Sequence, residues 1–542
     1  QEREAGTIPK QTFATALLRQ LTAWGVKYIF GVTGDDLLPL LSALAHEKGI
    51  RYIGTANENG AAFMASYQAK LTGELGVCIA SAAGTVHLLS GLADAFMDGA
   101  PVLALTGQTG TKKIGTPVKQ YFNQQQLMCN FAASSELVVH APTGLRLLVR
   151  AMSQALQQKT VTHLSVPEEL WSTPVDAAPG PQPALLKTKK QGFFTGDQNH
   201  VTALMQQSRR PLLVIGQAAQ TALPEVTHLI DRWQPAVIIA QEAKGIIADS
   251  LPAVLGGIGQ GWVPPLITET DCILLLGDAS YEDVFLPTVP VIQLEAEVSR
   301  VDDRYLWNSL VGDLAHILKT LTGALQDYKP DQSWLERRQA VKSQWNEIID
   351  ADRKDDRQPL SPARLAADLA TLIAPDAIIT LDIGAFMHWF DRGFQAENQR
   401  ILLSSRWRNM GSALPAAVGA KLLYPDKQVV ALVGDGGFLM SMGELVTAVK
   451  YKLPLVVIII NNQLYGLEKD KTIDQQLSPL GLEIPAVDYH LYAQACGARG
   501  FKLENPADLE DIFSQTLAAN GPAVINVICR DLRLPYPAPG IP

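Results

Sequence analysis

The sequence predicts an α/β protein made of three doubly wound parallel-sheet domains. Three observations point there. The chain has 542 residues, more than one hydrophobic core normally organises and enough for about three domains. Its strand-like runs are short and continuously apolar rather than alternating, as expected of strands buried on both faces. Helical stretches separate them, which makes βαβ units and hence parallel sheets.

Taken in order, VKYIFGV (26–32), LGVCIASA (75–82) and PVLALTG (101–107) read as strands of a first domain. PLLVIG (211–216), AVIIAQ (236–241) and CILLLG (272–277) read as strands of a second. AIITLDIG (377–384), QVVALVGDG (428–436) and LPLVVIIINN (453–462) belong to a third. Two stretches read as linkers: TPVDAAPGPQPALLKTKKQG (173–192), rich in Pro, Ala and Lys, and the strongly charged segment from Gln326 to Pro359, which carries no strand and at most a solvated helix. The expected domains are therefore 1–180, 190–325 and 358–530. No short-period repeat is present.

Composition excludes several function classes. Hydrophobic residues make up 47% and charged residues 18%, a globular balance. A net charge of -9 with no basic cluster argues against nucleic acid and anionic lipid as partners. No apolar run is long enough to span a membrane, and QEREAGTIPK at the N-terminus lacks the apolar core of a signal peptide, so the expected location is cytoplasmic. The five cysteines (Cys78, Cys129, Cys272, Cys496, Cys529) show no CxxC spacing and read as buried free thiols.

The segment 429–466, VVALVGDGGFLMSMGELVTAVKYKLPLVVIIINNQLYG, carries the most chemistry. One buried strand ends at Gly434-Asp435-Gly436, a helix follows near Phe438, and a second buried strand ends at Asn461-Asn462. A right-handed crossover puts both strand ends on the same carboxyl edge, so Asp435 and Asn462 converge across 27 positions. A carboxylate with an amide oxygen is a hard-oxygen set suited to Mg²⁺ or Ca²⁺ that also binds phosphate. Gly436 and Gly437 admit a phosphate close to the backbone, and the N–H groups of the helix start face it. Alone, GDG would be an ordinary turn; the second strand and NN at this distance make it a site.

GDG followed by NN at this spacing resembles the signature of thiamine diphosphate enzymes. The resemblance implies Mg²⁺ held by Asp435, Asn462 and the carbonyl of Leu464. It also implies a glutamate from the N-terminal domain, which hydrogen-bonds N1′ of the aminopyrimidine and favours the tautomer that removes the thiazolium C2 proton. IRYIGTANENGAAFMASYQAK (50–70) supplies Glu58, with Asn57 where the family pattern has His. The small residues behind Glu58 would admit a flat ring. RNMGSALPAAVGAKLLYP (408–425) resembles the family's M-G-x-x-L-P-A-A segment and gives Met410, 25 residues before Asp435, as the prop for the bent cofactor. LDIGAFMHWFDRG (381–393) resembles the diphosphate-holding turn, giving Gly384, Ala385 and Phe386; His388 falls two positions late for a catalytic histidine and reads as structural. Gly434, Gly436, Gly437 and Phe438 complete the cofactor set.

The resemblance covers essentially the whole chain and is nearest the pyruvate oxidase and acetolactate synthase branch, through DAFMDGAPVLALTGQ, AKGIIADSLPAVLGGIG, NNQLYG and PYPAPGIP. It implies pyruvate or a similar 2-oxo acid as substrate, decarboxylation, and a homodimer or tetramer with Glu58 of one subunit meeting Asp435 and Met410 of another. Substrate-facing candidates are Thr33, Gly34, His87, Phe122 and Gln124 in the N-terminal domain and Leu467, Glu468 and Lys471 after NN. Carboligation remains an alternative to oxidation or release of the acyl unit, since both share every residue up to decarboxylation. A catalytically inactive binding homologue is the alternative of another class. FAD, bound by relatives, is disfavoured: Gln217-Ala218 replaces their second glycine, and Glu295 and Glu297 replace aspartates.

Overall fold

The computed structural model describes residues 11–183, 192–279 and 281–537. Residues 1–10, read above for a signal peptide, lie outside the described residues. So do 184–191 of the first linker and the last residues of PYPAPGIP. Three sheets form from the apolar runs. The first has the spatial order Arg51–Gly54, Tyr28–Gly31, Gly76–Ala80, Val102–Gln108, Val161–Pro167, Ser134–Leu137, all parallel. The second runs Val254–Gly257, Ala236–Ile239, Pro211–Ile215, Cys272–Leu276, Val291–Glu295, Ser309–Gly312, parallel throughout, with Phe194–Thr195 added antiparallel at one edge. The third runs Arg400–Leu402, Ile378–Leu381, Val429–Gly434, Val456–Asn461, Ala523–Ile528, Arg499–Leu503, again all parallel.

The first and third sheets meet through two small-residue helices. Glu58–Thr72 begins on Asn57, whose side chain accepts from the Asn59 N–H, and stops at Gly73 in the left-handed region at φ 71°. Its Ala61, Ala62 and Ala65 are fully buried in one core with Ala413, Leu414 and Ala417 of the helix Ala413–Leu423. This corrects the reading of those small residues as room for a flat ring. They admit a neighbouring helix of the same chain, which packs close because no long side chain holds it off.

The charged segment after Gln326 also departs from expectation. It forms a 22-residue helix, Gln332–Arg353, with Trp334, Val341, Trp345 and Ile349 buried. Their spacing of seven, four and four gives one apolar stripe within a charged sequence. Trp334 Nε1–H donates to the Pro211 carbonyl (3.2 Å) and Trp345 Nε1–H to the Arg392 carbonyl (2.9 Å), so the helix clasps the second sheet to the third domain. Among the described residues no helix is long and apolar enough to cross a membrane. All five cysteines are free; Cys78, Cys272 and Cys529 are buried as expected, whereas Cys129 is exposed and Cys496 half-buried.

Candidate functional site

The strand Val429–Gly434 delivers Asp435, and its parallel neighbour Val456–Asn461 delivers Asn462, with Gly434 beside Ile460 in register. The two strand ends are tied directly. The Gln463 N–H donates to Asp435 Oδ2 (2.6 Å), the Gly436 N–H donates to Asp435 Oδ1 (2.9 Å), and the Leu464 N–H donates to Asn462 Oδ1 (3.3 Å). Gln463 takes a left-handed φ of 58°, which turns the chain back across the sheet edge. Burial pushes the Asp435 carboxyl up to about 6 against the lowering effect of its backbone donors.

A cavity of about 400 Å³ opens over this edge. Asp435, Asn462, Leu464, Met410, Gly384, Ala385, Phe386, Gly434, Gly436 and Gly437 line it, as do Leu467, Glu468 and Lys471. Glu468 and Lys471 pair with each other at 3.1 Å. A Cβ on Gly436 would lie 2.7 Å from the Tyr465 ring and 3.3 Å from Met410 Cε, so a side chain there would have to displace them. Phe438 departs from its expected place: the helix starts at Asp435, and the Phe438 ring is turned into the core, edge-on to Tyr489 at 5.4 Å.

The N-terminal candidates are elsewhere. None of Thr33, Gly34, Glu58, His87, Phe122 and Gln124 lines the cavity. Glu58 is mostly buried, and its Oε2 lies 3.1 Å from Nδ1 of the largely exposed His87. Thr33 is exposed, and Gly34 packs against Ser81. Phe122 gives its carbonyl to Gln108 Nε2 (3.2 Å). Gln124 departs from the expectation of a substrate-facing side chain. It is fully buried between the Thr106 hydroxyl, whose O–H donates to it, and the Gly107 carbonyl, to which its own Nε2 donates (2.8 Å). An amide this well matched inside the domain is held by its own hydrogen bonds.

Several residues at the site carry no signal in the sequence. Asp382 lies within LDIGAF, where nothing local singles it out. It is fully buried, accepts from the Gly411 N–H at both oxygens (3.0 and 2.9 Å) and from the Ser412 N–H (3.3 Å), and lies against Gly437. One carboxylate thereby joins the turn at 384, the Met410 loop and the GDG helix. Burial raises its carboxyl to about 6. In the wall of the same cavity, Arg408 sits 4.1 Å over the Tyr281 ring and donates to Gln241 Oε1 (2.8 Å). His388 is fully buried, accepting from Gln241 Nε2 (3.1 Å) and facing the Tyr281 hydroxyl (3.2 Å). Burial holds its pKa down to about 3, so it stays neutral and joins the second and third domains. His388 takes the structural part its sequence position suggests, whereas no local pattern marks Asp382, Gln241 or Arg408, because their partners come from distant segments.

Among the described residues no group of three His, Cys, Asp or Glu side chains is placed to hold a metal. The donors present are one carboxylate, one amide oxygen and one backbone carbonyl. That hard-oxygen set fits a cation that also takes phosphate oxygens from a bound ligand.

Comparison with known proteins matches this geometry. The chain matches the thiamine pyrophosphate enzyme N-terminal TPP binding domain over residues 11–132, the central domain over 199–321 and the C-terminal TPP binding domain over 382–527. It is 33% identical to YdaP of Bacillus subtilis (strain 168), named as a thiamine pyrophosphate-containing protein, over 96% of this chain and 92% of that one. It is 30% identical to a pyruvate oxidase of Lactiplantibacillus plantarum, over 97% and 91%. To an acetolactate synthase large subunit of Pyropia yezoensis it is 28% identical, over 98% and 94%. With three matched domains in order and near-complete coverage of such relatives, the chain belongs to the thiamine pyrophosphate enzyme family, in the company of pyruvate oxidases and acetolactate synthases.

Proposed function

We propose that this protein uses thiamine diphosphate and Mg²⁺ to decarboxylate pyruvate or a similar 2-oxo acid, the acyl unit then being released or transferred. The observation that carries the reading is the meeting of Asp435 and Asn462 beneath a cavity that also holds Met410. When bound, thiamine diphosphate supplies an electron sink beside the substrate carbonyl. Asp435, Asn462 and the Leu464 carbonyl hold the metal. The backbone N–H groups of Gly384, Ala385, Phe386 and Gly437 hold the diphosphate, Gly436 leaves room for it beside the backbone, and Met410 supports the bend of the cofactor. Leu467, Glu468 and Lys471 face the substrate end. A retired binding homologue would have no reason to keep a carboxylate and an amide oxygen at one sheet edge and the matching glutamate on its N-terminal domain.

Glu58 acts as the carboxylate that hydrogen-bonds the aminopyrimidine. It stands with Thr33, Gly34, His87 and Phe122 on the N-terminal domain, away from the cavity of its own chain. The N-terminal domain of a second copy therefore completes each site, in a homodimer or a pair of dimers.

The crevice where relatives of this fold type take a dinucleotide suits a diphosphate poorly. Between the strands Pro211–Ile215 and Cys272–Leu276 its charged lining is Asp98, Glu242, Asp278, Glu295 and Glu297 against Lys159, Arg300 and Arg406, the last already paired to Asp278. Ala218 stands 3.1 Å from where a side chain on Gly277 would start. These groups support a flavin-free enzyme, which favours release or carboligation over oxidation. NMR of the products from pyruvate, with and without an electron acceptor, tests this. Acetaldehyde or acetolactate independent of the acceptor is expected. Acetate or acetyl phosphate formed only with the acceptor would contradict it.

A further inference from the structure

The carboxylate of Glu444 crosses from the third domain to the segment that carries Glu58. Glu444 is 2% exposed and opens the helix Glu444–Lys450, just beyond the helix that starts at Asp435. Its Oε1 accepts from the Asn57 N–H (3.0 Å), and its Oε2 accepts from the Ala56 N–H (3.3 Å) and the Thr447 hydroxyl (2.7 Å). A side chain on Gly60 would land on the same carboxylate, so glycine there is what lets it reach the helix start. Asn57 is the cap of helix 58–72, and Glu58 is its first residue. The anion thus sits where unpaired N–H groups and the helix dipole favour negative charge. Burial raises the Glu444 carboxyl above the ordinary carboxylate range, and its three donors oppose that.

We propose that Glu444 is a positioning residue for Glu58: by fixing the Ala56 and Asn57 amides it sets the direction in which the Glu58 carboxylate leaves the helix. The proposal rests on the reading of Glu58 as the carboxylate that meets the aminopyrimidine. Glu444 does not line the cavity. A carboxylate is needed because both groups from the neighbouring segment are donors. In Glu444→Gln the new side-chain amide would present an NH₂ to one of them, and that backbone N–H would lose its acceptor. Small misplacements of a reacting group cost rate far more than they cost binding.

The test compares wild type, Glu444→Gln, Thr447→Val and Glu58→Gln in the full-length protein. Three quantities are read: amide hydrogen exchange over residues 54–60, thiamine diphosphate affinity by calorimetry with Mg²⁺, and hydrogen–deuterium exchange at C2 of the bound cofactor. In Glu444→Gln the Ala56 and Asn57 amides should exchange roughly tenfold faster, with or without cofactor. C2 exchange should slow by roughly tenfold or more, while affinity stays near wild type because Asp435 and Asn462 are untouched. Thr447→Val leaves the buried carboxylate in place and removes one of its three donors, so it should show the same pattern at about threefold. It keeps the test open should the glutamine variant fold poorly. Unchanged C2 exchange in Thr447→Val and Glu444→Gln, with Glu58→Gln strongly slowed, would overturn the role of Glu444 and leave that of Glu58 standing. A fall in cofactor affinity that matches the fall in rate would also overturn it, by placing the defect at the diphosphate end. Unchanged exchange in Glu58→Gln would overturn both readings.

Discussion

At the scale of single residues, the proposed function places two carboxylates at opposite ends of the chemistry. Asp435 is buried, takes two backbone N–H bonds and is raised to about 6. As the proposed metal ligand it would be contested by a proton and Mg²⁺, so Mg²⁺-dependent cofactor affinity should climb as pH rises towards about 6 and level off above. Asp435→Ala should abolish that affinity in calorimetry while the melting curve of the cofactor-free protein stays cooperative; wild-type affinity in the variant would remove Asp435 from the metal site. Glu58→Gln should do the reverse, keeping affinity but slowing C2 exchange by about a hundredfold or more. Equal exchange rates in variant and wild type would contradict this. Asp435 and Asn462 are legible in the sequence because their spacing is set by two adjacent parallel strands and the connection between them, which the sequence reads as one helix and the structure divides into Asp435–Ser441 and Glu444–Lys450. Asp382, Gln241 and Arg408 are not, because each finds its partners in segments remote from its own. Gln124 is misplaced by sequence for a related reason: its position matches, but Thr106 and the Gly107 carbonyl bury it.

At the scale of elements, Asp382 joins three loops, and its environment makes a stability prediction. Its carboxyl is raised from the ordinary value to about 6 by burial. The folded chain then holds a proton that the unfolded chain releases, so this contribution is fully present below the ordinary carboxylate value and is lost as pH rises to about 6. Asp382→Asn cannot ionise. The thermal midpoint of the cofactor-free variant should fall less steeply than wild type between about pH 4 and about pH 6, with a difference of up to about 1.4 kcal/mol per pH unit. Parallel curves would contradict the assignment. Continuous apolar runs locate the strands well, since burial on both faces demands such composition. The helix 332–353 escapes a reading by composition because charge dominates it, and only the spacing of Trp334, Val341, Trp345 and Ile349 reveals the buried stripe. The small residues of helix 58–72 stand out in the sequence, but they accept the helix Ala413–Leu423 rather than a cofactor ring.

At the scale of the whole molecule, three parallel sheets follow from the alternation of apolar runs and helices, and the family matches fall on the same three regions. The relation of Glu58 to the cavity cannot be read from periodicity, because it depends on how whole domains and whole chains meet. The crevice of the central domain gives a prediction at this scale. With five acidic side chains lining it against Lys159, Arg300 and the paired Arg406, protein mixed with FAD and then desalted should show no flavin absorption band. One retained flavin per chain would contradict the flavin-free reading. The central claim, that this chain decarboxylates a 2-oxo acid through thiamine diphosphate and the Asp435–Asn462 site, is tested most directly by following ¹³CO₂ release from [1-¹³C]pyruvate. Wild-type protein with thiamine diphosphate and Mg²⁺ should release ¹³CO₂ catalytically. Release should stop when either is omitted and fall by about a hundredfold or more in Glu58→Gln. No release from pyruvate or other short 2-oxo acids by the cofactor-loaded wild type, or release that needs neither cofactor nor Glu58, would contradict the account.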